Sequence, residues 1–172
     1  MGALRAIAAG LLTACVLATG PLSLRTAVAA PAATPAATVP PPDALVRSLY
    51  QHYLETAPDT VVGFDFTEPA VAAGYFDPTL AKLVVADAKS AEPRLNFDPF
   101  IEGQDFEIKA VAVEAKGLTK TSATVIAQFD NFDEKKTVSF KMVRTPAGWR
   151  IADVQWDRNP QTLRALLSKP AR

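Results

Sequence analysis

The hydrophobic pattern changes period near Asp105, and this switch limits the available folds more than any other feature of the sequence. Before it, apolar residues recur at helical spacing. After it, they alternate. In the front half, Asp43 can cap a helix running to about Thr56. Leu45, Leu49, Tyr53 and Val46, Tyr50, Leu54 trace its apolar face at i, i+4, i+8, and Ala57-Pro58-Asp59 ends it. A second helix is expected from Pro78 to about Ser90, with Asp77 as cap and Leu80, Leu83, Val84 and Ala88 buried. Val61 to Phe66 reads as a short strand or irregular chain.

The back half reads as four strands: Phe106 to Lys116, Thr121 to Asn131, Thr137 to Arg144 and Trp149 to Asp157. Ala123, Val125, Ala127 and Phe129 share one face, as do Val138, Phe140 and Met142. In the last strand, parity puts Trp149 and Ile151 on one face, with Val154 and Trp156 on the other. Gly117-Leu118-Thr119-Lys120, Asp133-Glu134-Lys135-Lys136 and Pro146-Ala147-Gly148 are the expected turns. A short helix at Gln161 to Lys169 closes the domain. Helices followed by such a meander imply an α+β fold. The N-terminal helices are expected to pack on one face of a curved antiparallel sheet of four or more strands.

The first 42 residues contain no acidic and no aromatic residue. Met1 to Arg5 is a short basic start, Ala6 to Leu24 is mostly apolar, and Thr26-Ala27-Val28-Ala29-Ala30 suits a signal peptidase. This reads as an export signal over residues 1–29, which places the domain in the periplasm or outside the cell. Small residues at Ala27 and Ala29 favour cleavage after Ala29. The alternative is a lipobox, Leu12-Thr13-Ala14-Cys15, with Cys15 diacylated and the protein anchored to a membrane. The apolar run continues past Cys15 through Val16-Leu17-Ala18, which favours the soluble form. Residues 30–42 form a spacer. Five of the twelve residues from Pro31 to Pro42 are proline, which gives extended chain with little to bury. Residues 43–172 then make one α+β domain.

Composition narrows the chemistry. Cys15 is the only cysteine, so no intramolecular disulfide and no thiolate metal site can form. There is one histidine, His52, too few for a histidine-based metal centre. Losing Arg5 and Arg25 with the signal leaves 16 basic against 18 acidic residues, a net charge of −2, with no basic tract. Nucleic acid is therefore not an expected partner. No phosphate loop, nucleophile elbow or H-E-x-x-H motif occurs, and an extracytoplasmic compartment lacks ATP and nicotinamides. No cofactor and no metal are expected.

Three segments carry a resemblance over roughly Leu45 to Leu167. They are Tyr75-Phe76-Asp77-Pro78, Asn96-Phe97-Asp98-Pro99-Phe100 with Gln104-Asp105, and Gly148-Trp149-Arg150-Ile151-Ala152-Asp153-Val154. Together they resemble the bacterial envelope family known as domain of unknown function 3828, itself similar to the nuclear transport factor 2-like superfamily. The resemblance implies a cone-like fold, with the N-terminal helices on the concave face of the sheet and a pocket between them, and an exported or lipidated chain. It implies no established activity, because related cones host enzymes, ligand binders and docking modules.

The candidate pocket residues are Tyr75, Asp98, Phe100, Gln104, Asp105 and Asp153. Asp153 shares strand parity with Trp149 and Ile151, so it is expected to point inward. With Asp98 it could form a carboxylate pair for acid/base work. The structural alternative is an Asx-type turn at Asp98-Pro99, a strand-capping role for Asp105, and a backbone or arginine bond for Asp153. Phe97, Phe100 and Phe106 either line a pocket or plug the gap between helices and sheet. No residue is assigned a catalytic role. The leading reading is a non-enzymatic domain that binds a protein partner or small ligand through its cone. The alternatives are a cofactor-free hydrolase, isomerase or dehydratase, and an immunity or inhibitor protein.

Overall fold

Four consecutive strands do form, and their pairing follows the alternation. A computed structural model describes residues 39–54 and 64–169. The leader, most of the spacer and the helix-ending segment Ala57-Pro58-Asp59 lie outside the described residues. Strands β1 (Val111–Lys116), β2 (Ser122–Asn131), β3 (Glu134–Thr145) and β4 (Gly148–Trp156) pair antiparallel in the order β1-β2-β3-β4. Helices α1 (Pro42–Tyr50), α2 (Pro69–Tyr75) and α3 (Pro78–Ala88) precede the sheet, and α4 (Leu163–Leu167) follows it. The fold is α+β, with the helices applied to the curved sheet. Ala123, Val125, Ala127, Phe129, Val138, Phe140 and Met142 all face the core as the alternation requires.

The first helix starts and stops earlier than expected. Pro42 opens it, its fixed φ suiting the first helical position, and extended Pro41 precedes it. Asp43 is therefore not the cap. It lies in the first turn, where its carboxylate suits the helix dipole, and it meets Arg47 Nε at 3.2 Å. Regular α-helix ends at Tyr50, but His52 N–H donates to Leu49 O and Tyr53 N–H to Tyr50 O. This tightened last turn still delivers Tyr53 to the core. Asp77 caps α3 as expected, accepting from the amides of Thr79 and Leu80 at 2.8 Å. Leu80 and Val84 are buried, Leu83 is half-buried and Ala88 is exposed. Residues 64–66 are irregular, and α2 was not expected at all.

Two sheet features depart from simple alternation. Phe106 to Ala110 is not strand. Buried Asn131 accepts from the Glu107 amide at 2.9 Å and donates to Asp105 O at 3.2 Å. This draws the segment across the end of β2, and pairing starts only at Val111. In β4 the register slips by one residue, because Ile151 opposes Met142 while Asp153 opposes Lys141. The extra residue, Ala152, forms a β-bulge and reverses the parity beyond it. Trp149, Ile151, Val154 and Trp156 are consequently all buried, so the expected split between two faces is corrected.

Loops on the two sides of the sheet differ in how they treat the strand edges. On the outer edge of β4, Phe76 bridges Ile151, Thr162 bridges Gln155, and Asp77 N–H donates to Ile151 O at 2.9 Å. Arg164 reaches Ala152 O through Nε and Nη2 at 2.9 and 2.7 Å, and Nη2 also meets Asp77 Oδ2 at 2.7 Å. On β1, Arg47 Nη2 donates to Val113 O at 2.5 Å.

The β2–β3 turn is tighter than expected. Asn131 pairs with Glu134, so the turn consists of Phe132 and Asp133 alone, with φ of 48° and 64°. Lys135 and Lys136 lie in β3, not at the tip. Positive φ at both positions is the type I′ geometry that asparagine and glycine adopt with least strain. Phe132 is 55% exposed and gains little from packing there. The double variant Phe132→Asn/Asp133→Gly is expected to raise the stability of the domain by about 1 kcal/mol in urea unfolding.

Candidate functional site

Asp98 opens a tight loop that is tied to the rest of the domain by aromatic donors. Its Oδ1 accepts from the Phe100 amide at 2.8 Å, an Asx-type turn, and its N–H donates to Gly103 O at 2.7 Å. Tyr53 Oη donates to Asp98 Oδ2 at 2.6 Å, Tyr50 Oη to Phe100 O at 2.8 Å, and Trp156 Nε1 to Pro99 O at 2.7 Å. Burial pushes the Asp98 carboxyl up from its ordinary range, although these hydrogen bonds pull the other way. Burial also raises both tyrosine hydroxyls, and the neighbouring Asp98 charge adds to it.

Phe100 is wholly buried and forms the centre of an aromatic cluster. Its ring lies 5.9 Å from Phe76 and 6.2 Å from Phe140, both stacked, and 5.3 Å from Phe66, edge-on. Phe97 packs edge-on against Trp156 and Phe106 against Tyr53. These rings plug the space between helices and sheet. Phe100 is therefore a filler of the core and not the wall of an open pocket.

Asp153 lies elsewhere. Because Ala152 is bulged, Asp153 sits opposite Lys141 on the face away from Phe140 and Val154. The expectation that it points into the core is corrected. Its Oδ1 accepts from the amides of Val154 and Arg164 at 3.0 and 2.9 Å, capping the first turn of α4 from outside that helix. Thr162 Oγ1 takes the Ala165 amide. Asp98 and Asp153 are thus held by separate groups and do not form a pair.

The remaining candidates are dispersed. Tyr75 ends α2, half-buried, with its ring edge-on to Phe64 at 4.8 Å. Gln104 is exposed and donates to Asn96 O at 3.2 Å. The Asp105 side chain is exposed, and its carbonyl serves Asn131. His52 is exposed and stacks on Phe64 at 4.6 Å. Among the described residues no cluster of three metal-ligating side chains occurs.

An open groove lies where no candidate was placed. A groove of about 620 Å³ runs between α2, α3 and the β3–β4 turn. Pro69 and Ala73 supply the α2 wall, Pro78, Ala81, Val85 and Ala86 the α3 wall, and Phe76 lies between them. Thr145 and Ala147 close the turn side, and Lys82, Lys89 and Arg150 stand around the groove. None of the six candidate residues lines it. The groove exists because Pro69 and Pro78 start two successive helices whose inner faces, Ala72 on one and Leu80 and Val84 on the other, go to the core. That leaves small apolar side chains of both helices facing one gap. Recurrence of Lys82, Val85, Ala86 and Lys89 along one side of α3, where a solvated helix would carry more polar residues, is the signal in sequence that could have located it.

Comparison with known proteins gives little. No family model matches the chain, and no curated protein matches it. The chain is similar to a phospholipid-binding protein of Ralstonia solanacearum solved in complex with a phospholipid. The likeness has a TM-score of 0.34 at 18% identity and covers 70% of this chain. The chain spans 65% of the length of that protein.

Proposed function

We propose that this is an exported, non-enzymatic binding domain of the bacterial envelope, of the kind its sequence resembles, and that it takes a small apolar ligand in the groove between α2 and α3. The observation that carries this reading is the groove itself. Its volume of about 620 Å³ is that of a ligand cleft, and its walls are prolines, alanines and a valine. Phe100, by contrast, is fully buried among rings. An enzyme built on Asp98 and Asp153 needs both carboxylates on one open pocket, and each is instead bonded within its own loop or strand.

Ala86 is exposed and lines the groove, so its replacement by tryptophan fills the space without touching the core. The full chain is expected to enhance Nile red fluorescence saturably. Ala86→Trp is expected to weaken that binding about tenfold or more while far-ultraviolet circular dichroism stays unchanged. Equal dye binding by both proteins would rule the groove out as the seat.

A further inference from the structure

The polar side chains at the groove indicate what kind of ligand it takes. Resting on the reading of the groove as a ligand seat, we propose that the ligand is an amphiphile with one apolar tail and an anionic head, a carboxylate or a phosphate. The tail follows from the walls. Pro69, Ala73, Pro78, Ala81 and Val85 offer no side-chain donor or acceptor, and their small size makes a narrow slot.

The head follows from charge. Lys82 and Lys89 are seven residues apart, two turns along the same side of α3, and they bracket Val85 and Ala86. Arg150 faces this wall from β4. No carboxylate lines the groove, and none pairs with these three cations among the described residues. The acids nearest in sequence are engaged or stand off. Asp77 is held by its helix cap and by Arg164. Asp87 accepts from the amides of Arg94 and Leu95. Glu68 precedes α2 and is not part of the lining.

Arg150 is also pre-oriented. Its Nε donates to Ala73 O at 3.1 Å and its Nη1 to Trp149 O at 2.7 Å. These bonds fix the guanidinium plane at the seam between α2 and β4 and, among the described residues, leave Nη2 available to a ligand. A guanidinium held this way meets an oxyanion with less ordering cost than a free side chain. Three cations around an otherwise apolar slot would favour an anionic head over a neutral one of the same length.

Calorimetric titration of the full chain at pH 7.5 with laurate, dodecyl phosphate and the neutral glycerol monoester of lauric acid tests this. One or both anions are expected to bind about tenfold or more tighter than the ester, and whichever binds tighter identifies the head. Lys82→Ala/Lys89→Ala is expected to erase most of that preference while ester binding persists. Equal affinity for the ester and both anions, all lost in Ala86→Trp, would overturn the anionic head but keep the groove as an apolar seat. No dodecyl compound bound in a way that Ala86→Trp weakens would overturn both.

Discussion

Phe100→Ala is expected to destabilise the domain by about 3–5 kcal/mol. The whole domain is held by only about 5–15 kcal/mol, so the variant should lie near the edge of folding at 37 °C. Removing this ring withdraws the common partner of Phe76, Phe140, Phe64, Phe66 and Tyr53. Neighbouring rings can only partly collapse into the void, because they are fixed from behind: Tyr53 by its bond to Asp98, and Phe140 by its place in β3. The backbone bonds of residue 100, to Asp98 Oδ1 and from Tyr50 Oη, survive the substitution. The loss is therefore one of packing. Urea unfolding measures it, with Phe132→Ala as the control. Phe132 is 55% exposed in a strained turn, so its truncation should change stability by less than about 0.5 kcal/mol. Similar losses for the two variants would mean that the aromatic cluster is not the centre of the core.

Tyr53→Phe is expected to cost about 1.5–3 kcal/mol at pH 7, and less at pH 3. The difference between the two pH values follows from Asp98. Burial raises its carboxyl above the unfolded value, so the folded protein holds that proton at a pH where the unfolded chain has released it. Stability from Asp98 is therefore fully present below the unfolded value near 3.8 and falls as pH rises through the folded one. Tyr53 limits this fall, because its hydroxyl favours the charged carboxylate. Without the hydroxyl, the folded value climbs further and the falling window widens toward neutral pH. Unfolding free energies of wild type and variant across pH 3–7 should diverge with rising pH. Parallel curves would show that Tyr53 acts through its ring alone.

Much of the sheet was legible because its two faces differ. Ala123, Val125, Ala127 and Phe129 bury one side of β2 while its other side stays partly wet, and that contrast is what alternation encodes. Helix α2 escaped because its seven residues bury only Ala72, too little to make a period. The bulge at Ala152 left a trace in the spacing of Ile151, Val154 and Trp156, which fits no single strand face. Reading that strand as regular sent Asp153 to the wrong side. Asp98 stood out in the sequence, but the carboxylates grouped with it did not come together: Asp153 is held by the amides of Val154 and Arg164. What sequence could not say is that the partners of the Asp98–Phe100 loop were Tyr50, Tyr53 and Trp156, far away along the chain. The groove was only half legible for a related reason: the α3 wall left a trace in the sequence, but the other wall belongs to the helix that was missed.

The clothing of β4 also bears on how molecules of this domain can associate. From Ile151 to Gln155 its outer edge is already engaged by Phe76, Asp77, Thr162 and Arg164. Growth of a fibre by strand addition needs two receptive edges on every molecule, one to join and one to be joined. Among the described residues, with β4 closed, a second copy could add only along β1, after displacing Arg47 from Val113. Such a pair would consume both receptive edges, so edge-to-edge pairing of the folded domain ends at two copies.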